Sequence, residues 1–437
     1  MVSFSLFFYA WGEPVWVVLL LLSALVDYLN AHLIEKNRGK SLAVFGLVLS
    51  VIVNIGLLVV FKYSAFIIEN INSLLSTSFY VPDFALPIGI SFYSFQTLSY
   101  VIDVYRGDVK AQSSYMRFLM YVSLYHQLVA GPIVRYAHVE HEINNRKFHI
   151  RDISSGITRF CCGLFKKVFI ANIAGEYVVR YMNGNIADLT IAESWFGALM
   201  FAIQIYFDFS AYSDMAIGLG KMFGFHYHEN FRYPYISSSA TEFWRRWHIS
   251  LGTFFRDYLY IPLGGNKKYA YRNLLIVWFL TGLWHGASWN FIIWGLYFGF
   301  LIFIERIFLM KLVRKIPVFG NLYLLFAALI GWVIFYFEDM SRMVAYFKVM
   351  FGRTASPLWT FELGLVLREN IFWLAAALLF CTPVYFIVDK WIKRKVIASN
   401  TAAFFIVLTI VMNFVFLFFS TAMLVGRSYN PFIYFRF

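Results

Sequence analysis

Ten apolar runs, separated by short polar or basic stretches, restrict this chain to a bundle of helices in a lipid bilayer. They lie near 15–34, 41–61, 84–104, 115–134, 155–180, 194–220, 273–305, 321–337, 370–389 and 401–425. A spanning helix needs about 20 apolar residues, and backbone in hydrocarbon must satisfy its own hydrogen bonds, which a helix does within one segment. Hydrophobic residues make up 60% of the chain and charged residues 14%, against roughly 45–50% and 25% in soluble domains. These runs predict one all-α, membrane-embedded domain over residues 1–437, with about ten transmembrane or re-entrant helices.

The net charge of +13 does not point to nucleic acid. The basic residues sit in short clusters between apolar runs, at 35–40, 135–151, 267–272, 306–315 and 390–395. The positive-inside rule places these clusters in the cytoplasm. The loops at 64–83 and 181–193 contain no Lys or Arg and should face outside, with 338–369 outside by parity. The last run leaves a cytoplasmic cluster, so the C-terminus is expected outside. Cys161, Cys162 and Cys381 show no disulfide framework. The start, MVSFSLFFYAWGEP, has no basic segment, so no cleaved signal peptide is expected.

One ionisable group stands out. The segment 279–295, FLTGLWHGASWNFIIWG, sets His285 in an aromatic, apolar stretch. A titratable group at membrane depth is costly and is a functional candidate by default. Imidazole suits proton transfer near neutrality. The run 273–305 begins and ends at cytoplasmic clusters, so it is expected to be two short or tilted helices or a re-entrant element. The turn should fall at His285–Gly286, and His285 should line a cavity. Asn290 and the indoles of Trp284 or Trp289 are candidate donors to an oxyanion.

The stretch 241–265 is too polar to span. It reads as an interfacial amphipathic helix, with Phe243, Trp247, Leu251, Phe254 and Tyr258 on one face. Arg245, Arg246 and Arg256 form either a lipid-headgroup anchor or a basic vestibule for an anionic donor, with His248 pointing inward. In 203–220, Asp208 and Asp214 lie at mid-helix, where a carboxylate costs about 2.5–3.5 kcal/mol and needs a partner. They are expected to be structural, orienting a nearby Arg, Trp or His; the second reading has Asp208 orienting a catalytic histidine. The run 86–107 is either a broken helix lining the chamber or an ordinary kinked span. His126 is expected to be a satisfied core histidine.

No metal site is expected: His138, Glu140, His141 and Glu142 lie in a charged loop. There is no phosphate-binding glycine loop, no dinucleotide fingerprint and no GxSxG. Without an ATP site, chemistry must start from an activated donor. A thioester fits, because transfer to an alcohol needs only a base and oxyanion stabilisation.

The segments GLFKKVFIANIA, DFSAYSDMAIGLG, NFRYPY, EFWRRWHISLGTFFRDYLYIPLGG and GLWHGASWNFIIWG resemble the membrane-bound O-acyltransferase family. The likeness is to its bacterial subgroup for alginate and peptidoglycan O-acetylation and covers most of the chain. It implies tilted helices ringed around a central funnel in the bacterial cytoplasmic membrane. It also implies acetyl-CoA as co-substrate without a tightly bound cofactor, an extracytoplasmic SGNH-type acetyltransferase partner, and a polysaccharide acceptor reached through that partner. The family's two histidines fall on His248 and His285, the second being the catalytic one. Members usually begin with a further apolar segment before the SLFFYAWGEP-like text. The alternatives are a D-alanyl or other acyl transferase using a carrier-protein thioester, and a transporter of an acylated lipid or anion.

The tail 430–437, NPFIYFRF, resembles the F-x-Y-x-x-F terminus that D-alanylation systems carry on a separate small membrane protein. It is either an interfacial aromatic anchor or an acyl relay through Tyr434. A phenol has a pKa near 10, so its ester keeps much of a thioester's transfer potential.

Overall fold

The structure is a computed structural model that describes all residues except 129–130, 385–386, 389, 392–401, 427–431 and 433–437. Among the described residues every regular element is a helix. Five helices are long and apolar enough to cross a bilayer: Val17–Lys36, Ser41–Leu75, Trp289–Val313, Val318–Tyr336 and Ala403–Val425. The pair Phe361–Glu369 and Ile371–Phe380, bent by 65°, makes a sixth if it is one span.

Two further helices are long but carry charge. Helix Ile191–Met222 has 32 residues, about 48 Å at 1.5 Å per residue. Continuous helical turns over 150–183 pack along it. Their backbones touch: a methyl on Gly156 would sit 2.6 Å from the Gly218 carbonyl oxygen. The charges between them are matched. Lys167 pairs with Asp208, while Lys166 and Arg159 reach Asp214 at 2.6 and 2.8 Å. The GLFKKVF and DFSAYSDM segments are thus two halves of one ion-paired seam. Each carboxylate thus meets a cation across the seam: Asp208 meets Lys167, and Asp214 meets Lys166 and Arg159.

At the N-terminal side, helices Val17–Lys36, Ser41–Leu75 and Ile90–Arg106 join through a buried polar set. Asn54 Nδ2 donates to Asp27 at 2.8 Å, and Thr97 donates to Asn54 at 3.1 Å. The buried apolar residues form two clusters. One, around helix 191–222, includes Trp247 and Trp294. The other, around the N-terminal helices, includes Trp284 and Leu251. His248 and His285 lie in sequence beside these members, at the junction of the two cores.

The run 273–305 is an antiparallel hairpin, Ala270–His285 and Trp289–Ile304, with the turn at the expected place. Its arms meet without side chains between them. A methyl on Gly282 would lie 2.3 Å from the Phe291 carbonyl oxygen, and one on Gly295 2.3 Å from that of Trp278.

Three expectations change. The run 115–134 is no span: helix Tyr115–Ser123 covers nine residues, and the described residues that follow, up to Arg135, are non-helical. Gly131–Pro132 cannot continue a helix there. The run 84–104 is neither a broken helix nor a kinked span: residues 77–87 are non-helical, and the helix begins only at Ile90, after Gly89 adopts φ +78°. The amphipathic stretch 241–258 is not one helix. It splits into Ala240–Arg246 and Ile249–Phe255, because His248 takes a left-handed φ of +44°.

The hairpin contact makes a prediction. Gly295→Ala drives a methyl into a backbone carbonyl, an overpacking of about 1–3 kcal/mol. The melting temperature of the detergent-solubilised protein should fall clearly. Gly56→Ala, which meets nothing within 4 Å, should leave it unchanged; equal effects would mean that the hairpin contact is loose.

Candidate active site

Helix Ala270–His285 stops because Gly286 is fully extended (φ −167°). A helix end leaves its last carbonyls without partners. Here they are taken by another helix. Tyr63 Oη donates to Leu283 O at 2.9 Å, and Lys62 Nζ donates to Trp284 O at 2.6 Å and His285 O at 3.1 Å. A cation at a helix C-terminus is also favoured by the helix dipole. Lys62 went unnoticed in the sequence reading. Its signal was there: one lysine inside helix Ser41–Leu75, directly after a strongly apolar stretch.

The His285 side chain is 6% exposed. Its ring meets the edges or faces of Trp284 and Trp294, each at 4.9 Å, and Phe335 at 5.4 Å. Neither ring nitrogen has a hydrogen-bond partner among the described residues. His248 is 1% exposed and packs on Phe209 at 4.9 Å and on Trp284 at 6.0 Å. Trp284 therefore packs against both imidazoles. Ser250 Oγ lies 3.4 Å from His248 Nδ1. Asn230 Oδ1 fixes Ser250 by accepting from its N–H and hydroxyl at 3.0 and 2.9 Å. Among the described residues His248 Nε2 has no partner, nor do the buried indole N–H groups of Trp244 and Trp294. Buried polar groups are nearly always satisfied. A set of unsatisfied donors and acceptors around two imidazoles marks a candidate site for a polar reactant.

The structure relocates several residues. His248 is not on a membrane-surface helix face; the break in the helix turns it inward, beside Trp284. Asn290 is buried, but its amide N–H₂ is committed to the carbonyls of Ile334 and Phe335 at 3.4 and 3.0 Å, which removes it as an oxyanion donor. Trp289 donates to Asn70 at the surface. Arg246 is bound by Glu242, with Nε 3.0 Å from Oε1. Arg256 is bound by Asp257, which also holds Arg135 at 2.9 Å. Burial pushes the Asp257 carboxyl up, and Arg256 and Arg135 overcome that and lower it below the usual carboxylate range. These two arginines are largely neutralised. Arg245 is exposed and has no ion-pair partner among the described residues. His126 is half-satisfied: Nδ1 is 3.1 Å from Tyr227 Oη, and Nε2 has no partner. Among the described residues no group of three or more His, Cys, Asp or Glu is placed to hold a metal ion. Tyr434 lies outside the described residues.

A family model described as MBOAT, membrane-bound O-acyltransferase family, matches residues 106–349. The chain belongs to this family. It is similar to the probable alginate O-acetylase AlgI of Azotobacter vinelandii, with 44% identity over 315 residues, 70% of this chain and 62% of that one. The protein of the same name from Pseudomonas aeruginosa is 41% identical over 382 residues, 84% of this chain and 71% of that one. A peptidoglycan O-acetyltransferase of Helicobacter pylori is 35% identical over 332 residues, 69% of this chain and 63% of that one. The chain thus spans somewhat less than two thirds of some of these relatives.

Within the MBOAT match lie both histidines, both seam carboxylates and the three arginines. Lys62 and Tyr434 fall outside it. The arginines give a prediction. If the donor is acetyl-CoA, Arg245→Gln should raise its apparent KM several-fold with kcat unchanged, because it removes the one cation of the three that has no ion-pair partner among the described residues. Arg246→Gln and Arg256→Gln should move KM less and lower thermal stability. Steady-state kinetics on purified protein decide; a KM effect confined to Arg246 and Arg256 would reverse the assignment.

Proposed function

We propose that the protein is a membrane O-acetyltransferase. In this reading it takes an acetyl group from cytoplasmic acetyl-CoA and passes it across the membrane for O-acetylation of an extracytoplasmic polysaccharide. One observation carries most of it: two buried imidazoles pack against Trp284, and three of their four ring nitrogens have no partner among the described residues. The names of the relatives, which refer to alginate and peptidoglycan, support a polysaccharide acceptor. The acceptor is reached through an SGNH-type partner outside.

His285 is the general base. The imidazole takes the proton of an attacking hydroxyl as its oxygen bonds to the thioester carbonyl. The tetrahedral oxyanion then collapses, the carbon–sulfur bond breaks, and the CoA thiolate takes the proton back from the imidazolium. Trp294 packs against His285 and has a buried N–H without a partner; it replaces Asn290 as the candidate oxyanion donor. His248, held by Ser250 and Asn230, also packs against Trp284 and orients the donor end of the chamber.

The attacking hydroxyl is the phenol of Tyr434. Helix Ala402–Val425 runs parallel to Ile150–Phe165, with Asn413 bonded to Thr158 and Phe416 on Phe165. Beyond its end, Phe432 is back at the seam, 4.9 Å from Tyr212 and 4.7 Å from Lys167 Nζ. Tyr212 is three residues from Phe209, which packs on His248. Two residues of chain reach about 7 Å, so a tail anchored at Phe432 can bring Tyr434 toward the chamber. The tyrosyl ester then passes its acetyl group to the partner.

His285→Ala should lower acetyl transfer by at least about 100-fold, the usual scale of a general base, while the protein remains monodisperse. Near wild-type turnover would end the base assignment. His248→Ala should also be strongly impaired, because it is buried beside Trp284. Tyr434→Phe keeps the aromatic anchor and removes the nucleophile. It should abolish labelling of the protein by radiolabelled acetyl-CoA and acetylation of the polymer, with acetyl-CoA binding preserved. Unchanged acetylation in that variant would leave the tail as an anchor. Turnover of a carrier-protein thioester but not of acetyl-CoA would favour the carrier-dependent reading, and solute movement without thioester cleavage would favour a transporter.

A further inference from the structure

Lys62 is a cation inside a 35-residue apolar helix. A charge in such a place needs a partner. Among the described residues no carboxylate pairs with it. Its partners are backbone carbonyls 222 and 223 residues away, those of Trp284 and His285. The local backbone is built for this. Val59–Tyr63 forms a widened, π-type turn within the helix. Such turns are frequent at functional sites, and this is one of five among the described residues. It shifts the side-chain phase so that two consecutive residues, Lys62 and Tyr63, both face the end of helix Ala270–His285. Together they hold three successive carbonyls, those of Leu283, Trp284 and His285. The helix has no closing turn of its own, because Gly286 is extended. The backbone that carries the His285 imidazole is therefore pinned from outside its own hairpin.

We propose that Lys62, seconded by Tyr63, is a positioning residue for His285: its ammonium clamps the C-terminal carbonyls of the helix and so fixes the imidazole toward the acyl donor. The proposal rests on the reading of His285 as the base. Lys62 touches the backbone of the candidate base, so it should govern how often the imidazole is correctly placed. It should not govern how tightly the donor binds. A misplacement of about 1 Å can cost on the order of 100-fold in rate.

The test is a double-mutant cycle on the purified full-length protein, following transfer of label from radiolabelled acetyl-CoA. Lys62→Met should lower the maximal rate by about 10- to 100-fold and leave the half-saturating acetyl-CoA concentration within about twofold of wild type. Lys62→Arg, which keeps the charge and the donors, should recover most of the rate. In the His285→Ala background Lys62→Met should cost nothing further, because groups that act as a unit are not additive. A wild-type rate in Lys62→Met, an equal further loss in the His285→Ala background, or a change confined to half-saturation would each overturn the proposal. Should Lys62→Met fail to fold, Tyr63→Phe removes only the bond to Leu283. It should lower the maximal rate about three- to tenfold at unchanged half-saturation, and an unchanged rate there refutes the clamp. His285→Ala by itself tests the base: if it retains turnover, the base reading fails, whatever the Lys62 variants do.

Discussion

The backbone-to-backbone contact between Gly282 and Gly295 sets the geometry around His285. In a bilayer, helices gain little by hiding apolar side chains from lipid, so small residues that let backbones approach supply the packing energy. Here each glycine faces a carbonyl of the opposite arm with no room for a methyl. The hairpin closes tightly, and its turn at Gly286 delivers His285 between Trp284, Trp294 and Phe335. Trp284 belongs to one apolar core and Trp294 to the other. The candidate base thus sits where two independently packed halves meet, and both halves hold its walls.

The fold divides its polar groups into two kinds. Several permanently charged side chains are held by partners: Lys167 by Asp208, Arg159 and Lys166 by Asp214, Arg246 by Glu242, Arg256 by Asp257. Leaving one member of a buried pair alone would cost several kcal/mol, about 3–5 in typical cases. Among the described residues, the groups without partners beside the two histidines include the imidazole nitrogens themselves and the indole N–H groups of Trp244 and Trp294, which can be buried neutral. In the proposed mechanism the chemistry falls to side chains that carry a proton without a permanent charge. The paired ions hold the long helices in register around them.

Lys62 belongs to neither kind. Its charge is met by the negative end of a helix rather than by a carboxylate. That links the helix Ser41–Leu75 to the hairpin that bears His285, across 220 residues of sequence. It joins the N-terminal core, which holds Asp27, Asn54 and Thr97, to the chamber. Residues 106–349, which carry the family match, do not contain this support.

The sequence by itself determined the class of fold, the hairpin and its turn. Apolar length, basic clusters and the pair of arms around His285–Gly286 are local properties, and hydrocarbon leaves helices as the solution for such runs. It also determined that Asp208 and Asp214 need partners, because a carboxylate in an apolar helix has no cheap alternative. What the tertiary structure decided was who meets whom. That Lys167 faces Asp208, that Asn290 spends its amide on Ile334 and Phe335, and that Arg246 and Arg256 are neutralised are all outcomes of packing between distant segments. The break at His248 was invisible too. Its left-handed backbone is disfavoured for a residue with a side chain, and contacts with Phe209, Phe231, Trp284 and Ser250 hold it there. Helical periodicity carried Trp247 and His248 smoothly along one surface helix; burial turned His248 into the chamber instead. The same holds for Lys62, since a lone lysine in an apolar run announces a cost, and three-dimensional contact alone names the carbonyls that offset it.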